Sequence, residues 1–174
     1  DPSEAVQKTN DYMTAYGDTD CIYATGEDYI TPAADVIKSR GITDCKIYGS
    51  NISPSVCQLI MDGQVEACTG GEFVCGSLAV TLLINYLDGN PIKDADGTAP
   101  YFDNLTQFMV TAENAEDFYE FLSDENLATH TISDEEYQNL LVRNNPDVDY
   151  DYFYDFLTNY EENVYAKVEA NAAQ

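Results

Sequence analysis

Basic residues are scarce in this chain: seven lysines and arginines stand against 32 aspartates and glutamates, a formal net charge of −25 over 174 residues. So few cations cannot neutralise a run of phosphates, which excludes a nucleic-acid-binding surface. An anionic membrane repels such a chain as well. There is one histidine, His130, set in a polar Ala-Thr-His-Thr turn far from the cysteines, and a zinc site needs more nitrogen and sulfur donors than that. Long apolar runs are missing too. The nearest, Phe73–Leu87, is interrupted by Gly76, Ser77, Thr81 and Asn85, so no membrane span is expected. No charged-then-apolar leader opens the chain, and a signal peptide is expected to be removed or never present.

Catalytic patterns are equally absent. No G-x-S-x-G, P-loop or H-E-x-x-H arrangement occurs. Carboxylates are spread so widely that no acid/base pair stands out. Asp147-Val-Asp-Tyr-Asp151 resembles the start of a calcium loop, but Tyr152 replaces the required glycine and no glutamate closes it. Asp94-Ala-Asp-Gly97 is similarly short of ligands. Neither an enzyme activity, a metal nor a cofactor is expected. The five cysteines are an odd number and make no disulfide framework. Cys21 and Cys45 hold matching positions near two strand starts, where a bridge is conceivable. Cys57, Cys68 and Cys75 fall on apolar faces and are expected as buried thiols.

What the chain does have is repetition. Between Asp20 and Gly89, short apolar runs (Cys21–Ala24, Cys45–Gly49, Val65–Thr69) alternate with amphipathic stretches (Tyr29–Arg40, Ser53–Asp62, Phe73–Leu87) across glycine-containing turns. Parallel strands need a long connection, and a helix supplies it, so the alternation predicts βαβ crossovers in a parallel sheet. Open parallel sheets bind ligands just beyond the carboxyl ends of their strands. A first helix is expected behind the Asp1-Pro2 cap and ends at Gly17. Breakers occupy residues 88–104, and Gln107–Thr111 reads as a fourth strand. From Ala112 to Gln174 the chain carries 16 of its 32 acidic residues and two basic ones, Arg143 and Lys167. Helices are expected there at Ala115–Leu122, at Asp134–Val142 behind a Ser133/Glu136 capping box, and from Tyr150 to about Ala170. The aromatic stripes of the last two segments read as packing surface.

In order and spacing, these segments resemble the C-terminal part of the type I, sugar-type periplasmic binding proteins of bacterial ABC importers. The residues that carry the resemblance are Ile22-Tyr-Ala-Thr-Gly-Glu-Asp-Tyr29, Ala33–Gly41, Lys46-Ile-Tyr-Gly-Ser-Asn51, Leu59–Ala67, and Gly76–Gly89 with Asn90-Pro-Ile92. The match runs over roughly residues 1–112. It implies an α/β fold: an incomplete lobe with a parallel βαβ sheet over residues 1–111, followed by an acidic helical extension over 112–174. By position, the family's Asn-Asp turn falls on Gly26-Glu27, its Gly-Phe-Asp on Gly49-Ser50-Asn51, and its hinge glutamine near Gly71. The resemblance thus implies ligand contacts from Glu27, Asn51 and Gly71, with Asp28 and Glu72 as nearby substitutes. Tyr29 and Phe73 follow strand ends directly and are candidate rings for stacking on a sugar face. Gly26 and Gly71 depart from the family in offering only backbone.

In the family, the ligand lies between two lobes. This chain lacks almost the whole first lobe, to which the Phe73–Leu87 stretch would belong, and is expected to be a fragment. Burying an apolar side chain is worth about 1.5–3 kcal/mol, so several left in water are untenable. A homodimer, or association with the missing lobe, is expected to cover Phe73–Leu87 and the free edge of the first strand. The implied function is non-catalytic capture of a small solute, a carbohydrate, for an ABC permease by hinge closure. The implied location is extracellular or periplasmic, at the cell surface in the intact parent. Two alternatives stand beside it: a ligand-sensing domain of a repressor of the same fold, and an interaction module using the acidic aromatic tail.

Overall fold

The computed structural model describes residues 1–123 and 131–173, so the expectation for His130 lies outside the described residues. Contacts divide the chain into two compact units: Asp1–Gly70 with Met109–Asp124, and Gly71–Phe108 with Glu125–Gln174. The change in composition at residue 112 and the change in packing partner fall at different places.

The first unit opens with α1 (Pro2–Ala15), where the Asp1 side chain accepts the Ser3 N–H and caps the helix. Three βα units follow the same logic: β1 (Cys21–Ala24), α2 (Glu27–Ser39), β2 (Lys46–Ser50), α3 (Pro54–Met61) and β3 (Ala67–Gly70). The strands begin zero to two residues later than the apolar runs suggest, and α2 begins two residues earlier. With β4 (Phe108–Thr111) they form one sheet in the order β1-β2-β3-β4. β1 pairs β2 in parallel, Cys21 with Lys46 through Ala24 with Gly49, and β2 pairs β3 in parallel from Tyr48–Ala67 to Ser50–Thr69. The expected parallel α/β lobe is therefore present.

Helices cover the Ala24, Ile47 and Gly49 face. α2 lies against β1 and β2, with α1 on one side and α3 on the other, and α5 (Ala115–Ser123) packs beside α3 through buried Ala115, Phe118 and Phe121. The approach is close at Gly49, where an added Cβ would meet Ile30 Cδ1 at 2.4 Å and the Ala24 carbonyl oxygen at 3.0 Å. Side chains alternate along a strand, so Tyr23 and its register partner Tyr48 point to the opposite face. Both are exposed, Tyr23 by 62%. Parallel sheets ordinarily have both faces covered; this one is covered on one.

That alternation also settles the cysteines. Cys21 pairs with Lys46, and both are exposed, while Cys45, one residue back, is buried. The two thiols are not bridged, and none of the five cysteines takes part in a disulfide. Cys57 and Cys68 are buried as expected; Cys75 instead lies exposed.

The second unit contains α4 (Val74–Leu87), α6 (Asp134–Asn139), α7 (Tyr150–Thr158) and α8 (Tyr160–Ala172). α4 buries Val74, Leu78, Thr81 and Asn85 and leaves Val80, Leu83, Tyr86 and Leu87 in solvent, the last 72% exposed. The Ser133/Glu136 capping box forms, but α6 stops at Asn139 rather than Val142. The expected single helix from Tyr150 is two. The break at Asn159 has a tertiary cause: Thr106 Oγ1 shares its single proton between the Leu157 and Thr158 carbonyls, at 3.2 and 3.0 Å, and accepts the Glu161 N–H at 3.2 Å. A side chain inserted into the ladder interrupts it. The aromatic stripes pack. Phe102 stacks on Tyr150 with ring centroids 4.9 Å apart, and Phe153, Leu157 and Tyr160 are buried.

Lys167 donates to Glu136 Oε2 at 2.5 Å and to the Thr131 carbonyl at 3.1 Å. Burial alone would raise the Glu136 carboxyl, but the Lys167 ammonium and the Ser133 N–H and hydroxyl outweigh it and hold the group below its ordinary value. Folding therefore favours the carboxylate. The resulting stability is present above the unfolded value, near 4.5, and is lost as pH falls through the lower folded one. Lys167→Met is expected to lower Tm at pH 7, with the gap to the wild type closing as pH falls through the lowered folded value and Glu136 protonates in both. Thermal melts across pH 3–7 measure this, and a gap independent of pH would contradict it.

Candidate functional site

The rim of the first unit is formed where β1 and β2 turn into α2 and α3. Gly26 precedes α2 in extended backbone with no side-chain cap, so the helix begins with bare N–H groups and the acidic pair Glu27 and Asp28. Carboxylates are favoured there by the helix dipole. Glu27 is half-buried, and its Oε1 accepts a hydrogen bond from the hydroxyl of Ser55, in the first turn of α3. Ser53 caps α3 by accepting the Val56 N–H at 3.3 Å, and its hydroxyl lies 3.0 Å from that of Ser55. Two helix starts, with Glu27 and Ser55 lying 28 residues apart in sequence, are thus joined through one carboxylate and two hydroxyls.

Asn51 follows β2 with φ 72°, the one non-glycine residue among the described ones in the left-handed region. Asparagine tolerates that backbone better than most residues, and its side chain is exposed. Asp28 is exposed, and Tyr29 is 42% exposed with its ring edge over Gly26. Tyr29 also lines a groove of about 360 Å³ between α1 and β1, with Ala5, Thr9, Tyr12, Tyr23 and Thr25. Residues 25–29 and 51–55 contain two carboxylates, several hydroxyls and no lysine or arginine. Such a rim can accept from and donate to neutral hydroxyl groups, and it offers no counter-charge to an anion.

The seven residues singled out in the sequence divide between the units. Glu27, Asp28, Tyr29 and Asn51 belong to the first, and Gly71, Glu72 and Phe73 to the second. Gly71 is buried at φ 117°, Glu72 is half-buried, and Phe73, 46% exposed, sits at the start of α4. Ser53 and Ser55 escaped sequence reasoning as site residues, since Ser-Pro-Ser reads only as a helix start. Their signal is the spacing that places Ser55 two residues beyond the cap, within the first turn of α3.

Two buried thiols, Cys45 and Cys57, stay protonated at neutral pH. Burial pushes Cys57 up to about 12, and burial followed by the neighbouring Cys21 and Asp20 raises Cys45. Buried protonated thiols are poor nucleophiles. Among the described residues, no group of three metal-ligating side chains occurs.

Comparison with known proteins places this geometry in context. The model of the periplasmic binding protein domain family matches residues 1–91. A periplasmic sugar-binding protein from Pseudomonas fluorescens is similar in structure, with a TM-score of 0.62 and 18% identity over 85% of this chain and 44% of that one. The periplasmic component of the arabinose ABC transporter from Shewanella sp. ANA-3, solved with L-arabinofuranose, has a TM-score of 0.58 and 20% identity over 73% of this chain and 42% of that one. The myo-inositol binding protein of Caulobacter has a TM-score of 0.54 and 17% identity over 67% and 38%. Each likeness is one of fold, and the chain spans less than half the length of each of these structures. No curated protein matches the sequence.

Proposed function

Because this chain belongs to the periplasmic binding protein domain family, we propose that it is the solute-capturing part of an ABC importer and takes a small neutral carbohydrate. The observation that supports this most is the join between Glu27 and Ser55 at the carboxyl ends of β1 and β2. It places acceptors and donors where an open parallel sheet binds its ligand. Glu27, Asp28 and Asn51 serve the solute hydroxyls, and Tyr29 lies against its apolar face. Gly71, Glu72 and Phe73, in the second unit, are further candidate contacts on the resemblance alone, and capture proceeds by hinge closure. Binding is non-catalytic, and the solute passes unchanged to a permease. The working location is outside the cytoplasmic membrane, in the periplasm or at the cell surface.

A thermal-shift screen of neutral pentoses, hexoses and cyclitols tests this reading. At least one is expected to raise Tm, with the rise diminished in Glu27→Gln. No rise with any of them contradicts it.

In the working protein the exposed face of Phe73–Leu87 is covered, by a second copy of the chain or by a complementary lobe. Val80, Leu83, Tyr86 and Leu87 line one uncharged helix, on a chain whose surface is otherwise strongly acidic. Sedimentation is expected to show self-association that Leu83→Glu abolishes, or complex formation with the complementary lobe supplied separately. A monomer under both conditions excludes it.

A further inference from the structure

We propose that Ser55 is a positioning residue, which holds Glu27 through a one-way chain of hydrogen bonds and presents its carboxylate to a donating group of the solute. This rests on the carbohydrate-capture reading above. Counting protons fixes the direction. Ser55 donates its hydroxyl proton to Glu27 Oε1, and a serine has no second proton to give. The contact between the Ser53 and Ser55 hydroxyls, 3.0 Å, must therefore run from Ser53 to Ser55. Ser53 in turn accepts the Val56 N–H at 3.3 Å. The sequence is Val56 N–H to Ser53, Ser53 to Ser55, and Ser55 to the Glu27 carboxylate. It starts at the amino end of α3 and terminates on a residue in the first turn of α2.

The arrangement has two consequences. A glutamate on a first helical turn is among the costliest side chains to order. Held by Ser55 before the solute arrives, its carboxylate presents its remaining acceptor positions without that cost at the moment of binding. Further, an ionised carboxylate can only accept, and the chain occupies one acceptor position of Glu27 while leaving the others to the solute. A solute must bring a donor, such as a hydroxyl, to meet it. A uronate carboxylate brings none and carries like charge, and no lysine or arginine lies in residues 25–29 or 51–55 to offset it.

The test is titration calorimetry with L-arabinose, D-allose, myo-inositol and D-glucuronate on the whole chain and four variants: Ser55→Ala, Ser55→Thr, Glu27→Gln, and Ser55→Ala with Glu27→Gln. For a neutral probe that binds, Ser55→Ala is expected to weaken affinity about five- to tenfold, the net size of one ordinary hydrogen bond. Ser55→Thr keeps the hydroxyl and is expected to restore it to within about twofold. The double variant is expected to bind no more weakly than Glu27→Gln alone, because coupled residues are not additive. D-glucuronate is expected not to bind. Unchanged affinity in Ser55→Ala, or full additivity with Glu27→Gln, overturns the positioning role while leaving carbohydrate capture intact. Failure of the wild type to bind any neutral probe overturns both.

Discussion

Asn85→Leu is expected to cost the second unit about 2–6 kcal/mol, the sum for two backbone groups left buried without partners. Asn85 is fully buried on α4. Its Nδ2 donates to the Leu140 carbonyl at 2.9 Å, and its Oδ1 accepts the Val142 N–H at 2.9 Å. These bonds span 55 and 57 positions of sequence and clasp α4 to the segment that follows α6, where Leu140 and Leu141 are buried. Leucine is similar in volume but satisfies neither group. Asn85→Asp separates the terms, since a carboxylate can still accept from Val142 but sets an anionic oxygen against the Leu140 carbonyl, and its burial adds its own cost. Urea unfolding gives the loss, and hydrogen exchange at the Val142 amide shows whether it comes from the clasp. A loss below about 1 kcal/mol, the net value of an ordinary hydrogen bond, with Val142 still protected, would contradict this role.

Gly71→Ala is expected to be nearly as severe. At φ 117° the residue lies where only glycine rests without strain. An added Cβ would also meet Tyr160 Cε1 at 2.9 Å and Phe108 Cε1 at 3.8 Å. Tyr160 is buried between Phe108 and Phe156, with ring centroids 6.3 and 6.4 Å away, and has little room to yield. Strain of about 1–3 kcal/mol and overpacking of a similar size together give about 2–6 kcal/mol. Tyr160→Leu should relieve the clash and not the strain, so the double variant is expected to lose less than the two single losses added. Strict additivity would mean the ring does not limit this position. Gly71→Gln, which supplies the side chain that the resemblance puts near this position, should destabilise as much as alanine or more. Here the backbone conformation, and not the missing side chain, determines the residue.

The repeating βα unit was legible because its signals are local. Apolar runs, capping residues and glycine turns each act within a few positions, and the strand order and parallel pairing follow from them. Boundaries moved by one or two residues where β2 and β3 continue toward the rim. The break at Asn159 was not legible, because no proline or glycine marks it; Thr106, over fifty positions away, captures the carbonyls of α7. Asn85 read as a polar interruption of an apolar helix, since its partners are equally distant. Of the candidate site, Glu27 and Asn51 follow from position after a strand. The serine pair does not, because a capping serine and one that also reaches a neighbouring loop look the same in one dimension.

Amide-resolved NMR of the labelled chain, titrated with L-arabinose, D-allose and myo-inositol at high concentration, tests carbohydrate capture at the strand-end rim most directly. The expected result is that at least one sugar shifts the amides of residues 25–29 and 51–55, and that Glu27→Gln reduces those shifts. Perturbation confined to other parts of the molecule, or none with any sugar, would contradict it.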